Sequence, residues 1–335
     1  GEEKPADIDH LREICREVVT FPLAHRGALS NPWQAVRYLF KGIPPTLRAY
    51  ETREFAEKIL SLISRIDFDI IQIEDSHMAI YLDYLPDAAR SRTILTFHDV
   101  NFHKHEMMSQ LEPRRARKLR TWLHARLMRG WEPYQAQHFG HCVTMSNSDK
   151  ALLLAANPNL KITVLPNGVD TRNYAPLPLP KNTARLLFVG NMAYRPNIDA
   201  VMYFCRSIYP KIKMEYPKIE FWIVGKDPAP EVKELQGNGV HVTGQVDDLG
   251  SYYNDSIMCV VPLRAGGGTR LKILEAMALG RPVVTTPIGC EGLEVKHGQH
   301  LFIADTPDLF ADYVLQLLKD KQQWQDMTRQ ARALA

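Results

Sequence analysis

The sequence is short of the features that would settle a protein class at once. Its five cysteines, Cys15, Cys142, Cys205, Cys259 and Cys290, are scattered, odd in number and form no C-x-x-C pair, so they read as core or loop residues of a reducing compartment. No uninterrupted apolar run approaches a bilayer span, and residues 1–9 lack a signal-peptide pattern. The expectation is therefore a cytoplasmic protein, soluble or peripheral on the inner face of a membrane. A net charge of +3 is too small to imply nucleic acid as a partner. No G-x-G-x-x-G follows a strand and no G-x-x-x-x-G-K-[ST] occurs, which leaves dinucleotide redox chemistry and P-loop hydrolysis poorly supported. There is no internal repeat and no low-complexity segment.

What is present is an alternation of helices with short apolar runs, the sign of βαβ units and parallel sheets. A chain of 335 residues can bury two separate cores. In the first half, REVVTFPL (16–23), FDIIQIE (68–74), TILTF (93–97) and HCVTMS (141–146) read as strands, with a helix over 45–66 and another over 149–156. The proline-rich run APLPLPKN (175–182) is stiff and poor at pairing, which makes it the expected linker. The predicted domains are 1–178 and 183–335. In the second half, RLLFVG (185–190), EFWIVG (220–225), VHVTGQV (240–246) and MCVVPL (258–263) read as strands, with a helix over 199–214.

The chain is organised around VVPLRAGGGTRLKILEAMALGRPVVTT (260–286). An apolar run ends in Gly266, Gly267 and Gly268, which let the backbone reach positive φ and approach a ligand closely. Leu271, Leu274, Ala278 and Leu279 then recur at helical spacing, with Thr269 placed as an N-cap and with Gly280 and Pro282 as the stop. Strand, glycine turn and helix aim free amides and a positive helix end at one point, which suits an anion. Arg270 and Lys272 are predicted in the first helical turn, against the dipole, which suggests an anion between them. Glu275 is three residues past Lys272 and could accept hydrogen bonds from sugar hydroxyls. The bland alternative is a solvated Lys272–Glu275 pair beside an ordinary cap.

GGGTRLKILEAMALGRPVVTT resembles the donor-site segment of the retaining, GT-B-fold glycosyltransferases called family 4. LPNGVDTRNYAP (165–176), MSNSDKALL (145–153) and FVGNMAYRPNIDAV (188–201) match other landmarks of that family in order, so the resemblance spans roughly residues 68–318. It implies the fold class: α/β, GT-B, two Rossmann-like domains whose parallel sheets face a central cleft. It also implies a nucleotide-sugar donor, transfer to a glycan or lipid-linked acceptor with retention at the anomeric carbon, and no metal or other cofactor. His98 matches the position facing the donor sugar. Gly190, Asn191, Arg195, the amides of Gly266 to Thr269 with Leu271, Arg270 and Lys272 would surround the diphosphate. Glu275 would hold the ribose, and Thr243, Gly244 and Gln245 would lie against the base.

Two departures from the family pattern stand out. The family commonly carries a second glutamate eight residues before the one matched by Glu275, and Gly267 stands there instead. The Arg and Lys that often follow the Gly190 turn are replaced by Asn191 and Pro196, with Arg195 alone nearby. The family also places a strand, loop, helix and strand ahead of 16–23, so a truncated N-terminal domain is expected. A catalytically silent nucleotide-sugar-binding or scaffold protein and a sugar-nucleotide epimerase of the same fold remain open at this point.

Two further features bear on chemistry. His98, Asp99, His103, His105 and Glu106 invite a metal reading, but their separations do not bring the imidazoles to one helical face. Residues 113–138 read as a long basic helix with an apolar stripe of Ala116, Leu119, Leu123 and Leu127 and with Arg114, Arg115, Arg117, Lys118, Arg120, Arg126 and Arg129 around it. Such a helix either packs its stripe on the sheet or lies on anionic lipid headgroups.

Overall fold

The computed structural model describes residues 5–22, 32–180 and 184–335. Strands β1 (Ile71–Glu74), β2 (Thr93–Phe97), β3 (His141–Thr144) and β4 (Ile162–Val164) pair in parallel, in chain order. Parallel neighbours need a crossover. The helices Asn101–Leu111 and Arg115–Ala136 carry the chain from β2 to β3, and Asn147–Ala156 carries it from β3 to β4.

The second sheet has six strands: β5 (Arg185–Val189), β6 (Glu220–Val224), β7 (Val240–Gly244), β8 (Met258–Val261), β9 (Val283–Thr285) and β10 (Phe302–Ile303). All pair in parallel in the order β10-β9-β8-β5-β6-β7. The chain moves outward from β5 to β7, returns to lay β8 on the other side of β5, and continues outward to β10. A switch point of this kind, at the carboxyl ends of β5 and β8, leaves the crevice where open α/β sheets take ligands. β8, covered on both faces, is buried throughout, as its unbroken apolar sequence requires.

Several expected elements are placed differently. The described part of 16–23 forms no strand: Val19 is exposed and Phe21 packs edge-on against Phe55. An apolar run becomes a strand only when a neighbour takes its backbone hydrogen bonds. The helix expected over 45–66 is a 3-10 turn, Pro45–Ala49, followed by Arg53–Arg65, because the Thr52 side chain accepts from the Phe55 amide and starts a new helix there. β1 is confined to the last four residues of FDIIQIE.

The basic helix buries Ala125, Met128, Trp131, Glu132, Gln135 and Ala136 rather than the expected stripe. Leu119 is 57% and Leu123 47% exposed, and Trp122 is exposed beside them. The reason is where the helix is anchored. Arg129 forks onto both carboxylate oxygens of Glu106 at 2.9 Å and lies over the Phe102 ring, so the C-terminal half is clamped to Asn101–Leu111. The first turns, residues 115–120, are exposed.

The proline-rich run has neither helix nor strand over 175–180, and its last expected residues lie outside the described ones. It is strapped to the second sheet. Leu177 donates its amide to Leu279, and the fully buried Arg281 gives its guanidinium to the carbonyls of Leu177, Pro178, Tyr253, Asn254 and Gly280. Five donors in a rigid fork meet five oxygens here, which only arginine can do.

Candidate functional site

Glycines occupy the switch point. Gly190 follows β5 and Gly225 follows β6, and their backbones touch: a Cβ on Gly225 would lie 1.8 Å from the Gly190 oxygen. Gly266, Gly267 and Gly268 follow β8 and lead into the helix Leu271–Ala278. The expected N-cap, Thr269, lies one residue too early. Arg270 holds the N-cap position with no side-chain cap, while the Thr269 hydroxyl accepts from the Asn167 amide at 2.5 Å. The first amides of this helix are thus left without a side-chain partner, as an anion site needs. At the other end Gly280 takes φ +70 and closes a double turn, with Gly280 N on Met277 O and Arg281 N on Ala276 O, so the chain can enter β9 at once.

The two cations behave differently. Lys272 places its ammonium 4.1 Å from the centre of the Phe188 ring and donates to Asn197 Oδ1 at 3.1 Å, and Asn197 in turn donates to the Asn191 carbonyl. The ammonium lies under the Gly190 turn, where a Cβ would come within 2.9 Å of it. Burial, with the nearby Arg270 charge, pushes the Lys272 pKa down to about 7. Arg270 is expected to face the anion from the first turn. Instead it is only 8% exposed, and its guanidinium folds back onto the carbonyls of Gly267 and Gly268. It braces the glycine turn, and its buried Nη2 has no hydrogen-bond partner among the described residues.

The remaining expected residues spread along the same rim. Glu275 is half-buried and accepts from the Tyr253 hydroxyl at 3.3 Å, with the Tyr174 hydroxyl beside it. Arg195 gives its guanidinium to Glu231, at 3.1 Å, instead of holding it free for an anion. Asn191 Oδ1 accepts from Ala193 N, and Leu271 exposes its side chain. Thr243 and Gly244 end β7, the edge strand on the β6 side, and Gln245 follows it. Gly244 O there accepts both Gly225 N and the Thr243 hydroxyl, and Gln245 is exposed.

The first sheet supplies the opposite wall from the ends of β1 and β2. His98 Nε2 lies 2.7 Å from Glu74 Oε2, and both side chains are about half exposed. Burial works against the Asp75 charge, yet the His77 ring at 2.7 Å holds that carboxyl well below the usual range. Asp99 receives the Lys104 ammonium at 2.9 Å on each oxygen. Burial opposes the Lys104 charge too, and Asp99 outweighs it to hold this lysine above its usual range. The helix that carries Lys104 is fixed by Glu132, which is fully buried and accepts the amides of Asn101 and Phe102 and the Ser76 hydroxyl. Burial pushes the Glu132 carboxyl up to about 7.

The walls meet at the glycine turn. A Cβ on Gly268 would lie 2.1 Å from His98 O, and one on Gly267 would lie 2.6 Å from Asp99 Cβ. His103 and Glu291 approach across the cleft at 3.9 Å. Beside this contact is a cavity of about 320 Å³, lined in part by Ser146, Asn167, Thr269, Leu274 and Glu294. Among the described residues no group of three or more His, Cys, Asp or Glu is placed to hold a metal ion. In the histidine-rich segment Asp99 goes to Lys104, Glu106 to Arg129, and His105 to the Asn101 carbonyl. Sequence reading missed Lys104, Asn197, Tyr253 and Glu132, none of which stands in a pattern of its own. Asn167 stands within PNGVD but reads there only as a turn residue.

The two halves match two family models in succession, Glycosyltransferase Family 4 over residues 11–173 and Glycosyl transferases group 1 over 183–320. The chain belongs to the family 4, group 1 glycosyltransferases. Relatives of this glycosyltransferase chain include an uncharacterized 44.6 kDa protein in the cps region of Klebsiella pneumoniae, 30% identical over 42% of this chain and 38% of that protein. Another is the phosphatidyl-myo-inositol mannosyltransferase of Mycolicibacterium smegmatis, 28% identical over 47% of this chain and 43% of that protein. Each match thus spans less than half of the relative's length. The fold is that of GT-B glycosyltransferases. The sucrose-phosphate synthase of Thermosynechococcus elongatus superposes with a TM-score of 0.65 at 19% identity, over 85% of this chain and 75% of that one. Anabaena HepE, solved with UDP and glucose, gives 0.62 at 17% identity, over 83% and 75%.

Proposed function

We propose that this chain is a retaining glycosyltransferase that moves a sugar from a nucleotide diphosphate sugar to a glycan or lipid-linked acceptor. The observation that carries the reading is the switch-point turn: uncapped helix amides, three glycines and the desolvated Lys272 converge where β5 and β8 end. The barrier to sugar transfer is cleavage of the anomeric C–O bond as negative charge collects on the departing diphosphate. Fixed amides and Lys272 would meet that charge, and loss of one such donor commonly costs about 3 kcal/mol of barrier. A diphosphate against Lys272 would restore the ammonium that burial disfavours. Glu275 would accept the ribose hydroxyls, and His98, oriented by Glu74, would face the sugar. Retention, with attack from the face the diphosphate leaves, follows the family resemblance, as does catalysis without a metal. The structural neighbours solved with UDP, UDP-glucose or UDP-2-fluoro glucose support a nucleotide-sugar donor here.

The exposed half of the basic helix favours a peripheral contact with the cytoplasmic face of a membrane. Leu119, Trp122 and Leu123 project there among Arg114, Arg115, Arg117, Lys118 and Arg120, all exposed. No helix among the described residues is long and apolar enough to cross a membrane. Apolar side chains ringed by cations suit an anionic lipid surface, which a lipid-linked acceptor would share. Co-sedimentation with anionic vesicles should drop when Arg114, Arg115 and Arg117 are neutralised, and unchanged binding would count against the contact.

The test of the main reading is a thermal-shift titration with UDP, GDP and ADP, beside Glu275→Ala. One nucleotide should raise the melting temperature, with the shift lost in the variant. No shift with any of them would favour a scaffold that binds no donor.

A further inference from the structure

The glycine turn offers amides but no side chain, so whatever distinguishes one donor sugar from another must come from elsewhere. If the diphosphate lies on this turn, the sugar it carries extends toward the opposite wall. The first side chain there is Asp99, whose Cβ lies 2.6 Å and whose Oδ2 lies 3.5 Å from where a Cβ on Gly267 would be. We propose that Asp99 is the acid that reads the donor sugar's hydroxyls, supplied by the first sheet to a turn on the second sheet that has none.

The three atoms nearest the space a Cβ on Gly267 would take all belong to Asp99, and the other acids of this rim face other partners. Glu74 accepts from Gln72 and pairs with His98, Asp149 takes the Ser146 hydroxyl, and Glu291 faces His103. Asp99 is 19% exposed and its Lys104 partner 13%. Lys104 neutralises the carboxylate while occupying one lone-pair direction on each oxygen, which leaves one on each for sugar hydroxyls. Gly267 and Asp99 are also mutually exclusive in space. A side chain at 267 would occupy the volume of Asp99 and hold the walls apart, so an acid fits on one side of the cleft or the other.

This inference rests on the nucleotide-sugar reading, and the experiment separates the two. Wild type, Asp99→Asn, Gly267→Glu and the double variant Gly267→Glu/Asp99→Gly are titrated with UDP, GDP and ADP. Hydrolysis of UDP-glucose, GDP-mannose and ADP-glucose, in which water takes the sugar as the nucleotide diphosphate leaves, is then followed by release of the nucleotide. Asp99→Asn should keep wild-type nucleotide affinity and lose about tenfold or more in kcat/KM for release, the range expected for a lost hydrogen bond to a charged group. Gly267→Glu should lose at least as much, and the double variant should regain about tenfold over it, because removal of the Asp99 side chain clears the space a new glutamate needs. Normal release by Asp99→Asn, a parallel loss of nucleotide affinity, or a double variant no better than Gly267→Glu would each overturn the proposal. Absence of nucleotide binding by wild type would overturn the donor reading itself.

Discussion

The two walls of the cleft are built on opposite plans. On the second sheet the rim is backbone: Gly190, Gly225 and Gly266 to Gly268, with Lys272 tucked beneath and Arg270 folded onto the turn's own carbonyls. On the first sheet it is side chain, with His98 on Glu74, His77 on Asp75 and Lys104 on Asp99. A backbone wall fits what every nucleotide diphosphate shares, because amides have one geometry. A wall of paired side chains can distinguish one sugar or acceptor from another.

The comparison can be broken most directly where the walls touch. Gly268→Val would place its Cβ 2.1 Å from His98 O and require φ +66 of a β-branched residue. Donor turnover should fall by about a hundredfold, the cost of a misplacement near 1 Å, and unchanged turnover would show that the contact is not needed. Next, Lys272→Met should lower turnover by at least about tenfold while raising the melting temperature of the unliganded protein, because it removes a charge held out of water. Arg270→Ala should lower both, since that residue braces the turn. Equal behaviour of the two variants would erase the distinction between cation for ligand and cation for scaffold.

A smaller effect follows from pH. Unfolded, Lys272 keeps its proton up to about 10.5, and folded it keeps it only below about 7. Between those values the unfolded chain holds more protons, so stability should rise with pH from about 7, and the full cost of the buried charge is present below it. A diphosphate bound as proposed would restore the charge. Nucleotide affinity should therefore weaken above pH 7, by up to about tenfold per unit, with proton uptake visible in calorimetry as a buffer-dependent heat. Lys272→Met should show neither trend. The smallest effect is expected of Arg195→Ala, which breaks a half-exposed pair with Glu231. Such pairs contribute about 0–1 kcal/mol, and a tenfold loss of turnover would return Arg195 to the diphosphate.

Much of the second sheet was legible because a buried parallel sheet leaves strong local signals. RLLFVG, EFWIVG and MCVVPL are unbroken apolar runs, and Gly280 with Pro282 marks the end of the Leu271–Ala278 helix. Legibility failed where a local pattern lacked a tertiary partner. The described part of REVVTFPL has strand composition and, among the described residues, no strand beside it, and the stripe at Leu119 and Leu123 has helical period and no surface to cover. At the site, residue types were readable and directions were not. Arg270, Lys272 and Arg195 are all cations near a glycine turn, yet one folds onto the turn's carbonyls, one lies beneath it and one is paired with Glu231.

The sequence by itself determined that a glycine turn would follow a strand and open a helix, because φ freedom, apolar runs and helical period act within a few residues of one another. Only the tertiary structure decided which residues meet across the cleft. Asp99 against Gly267, Asn167 on Thr269, Asn197 beneath Lys272 and Glu132 capping a helix on which it does not lie are contacts between segments distant in sequence. No local preference encodes such contacts. They exist because two sheets, each with its own core, bring their strand ends to the same place.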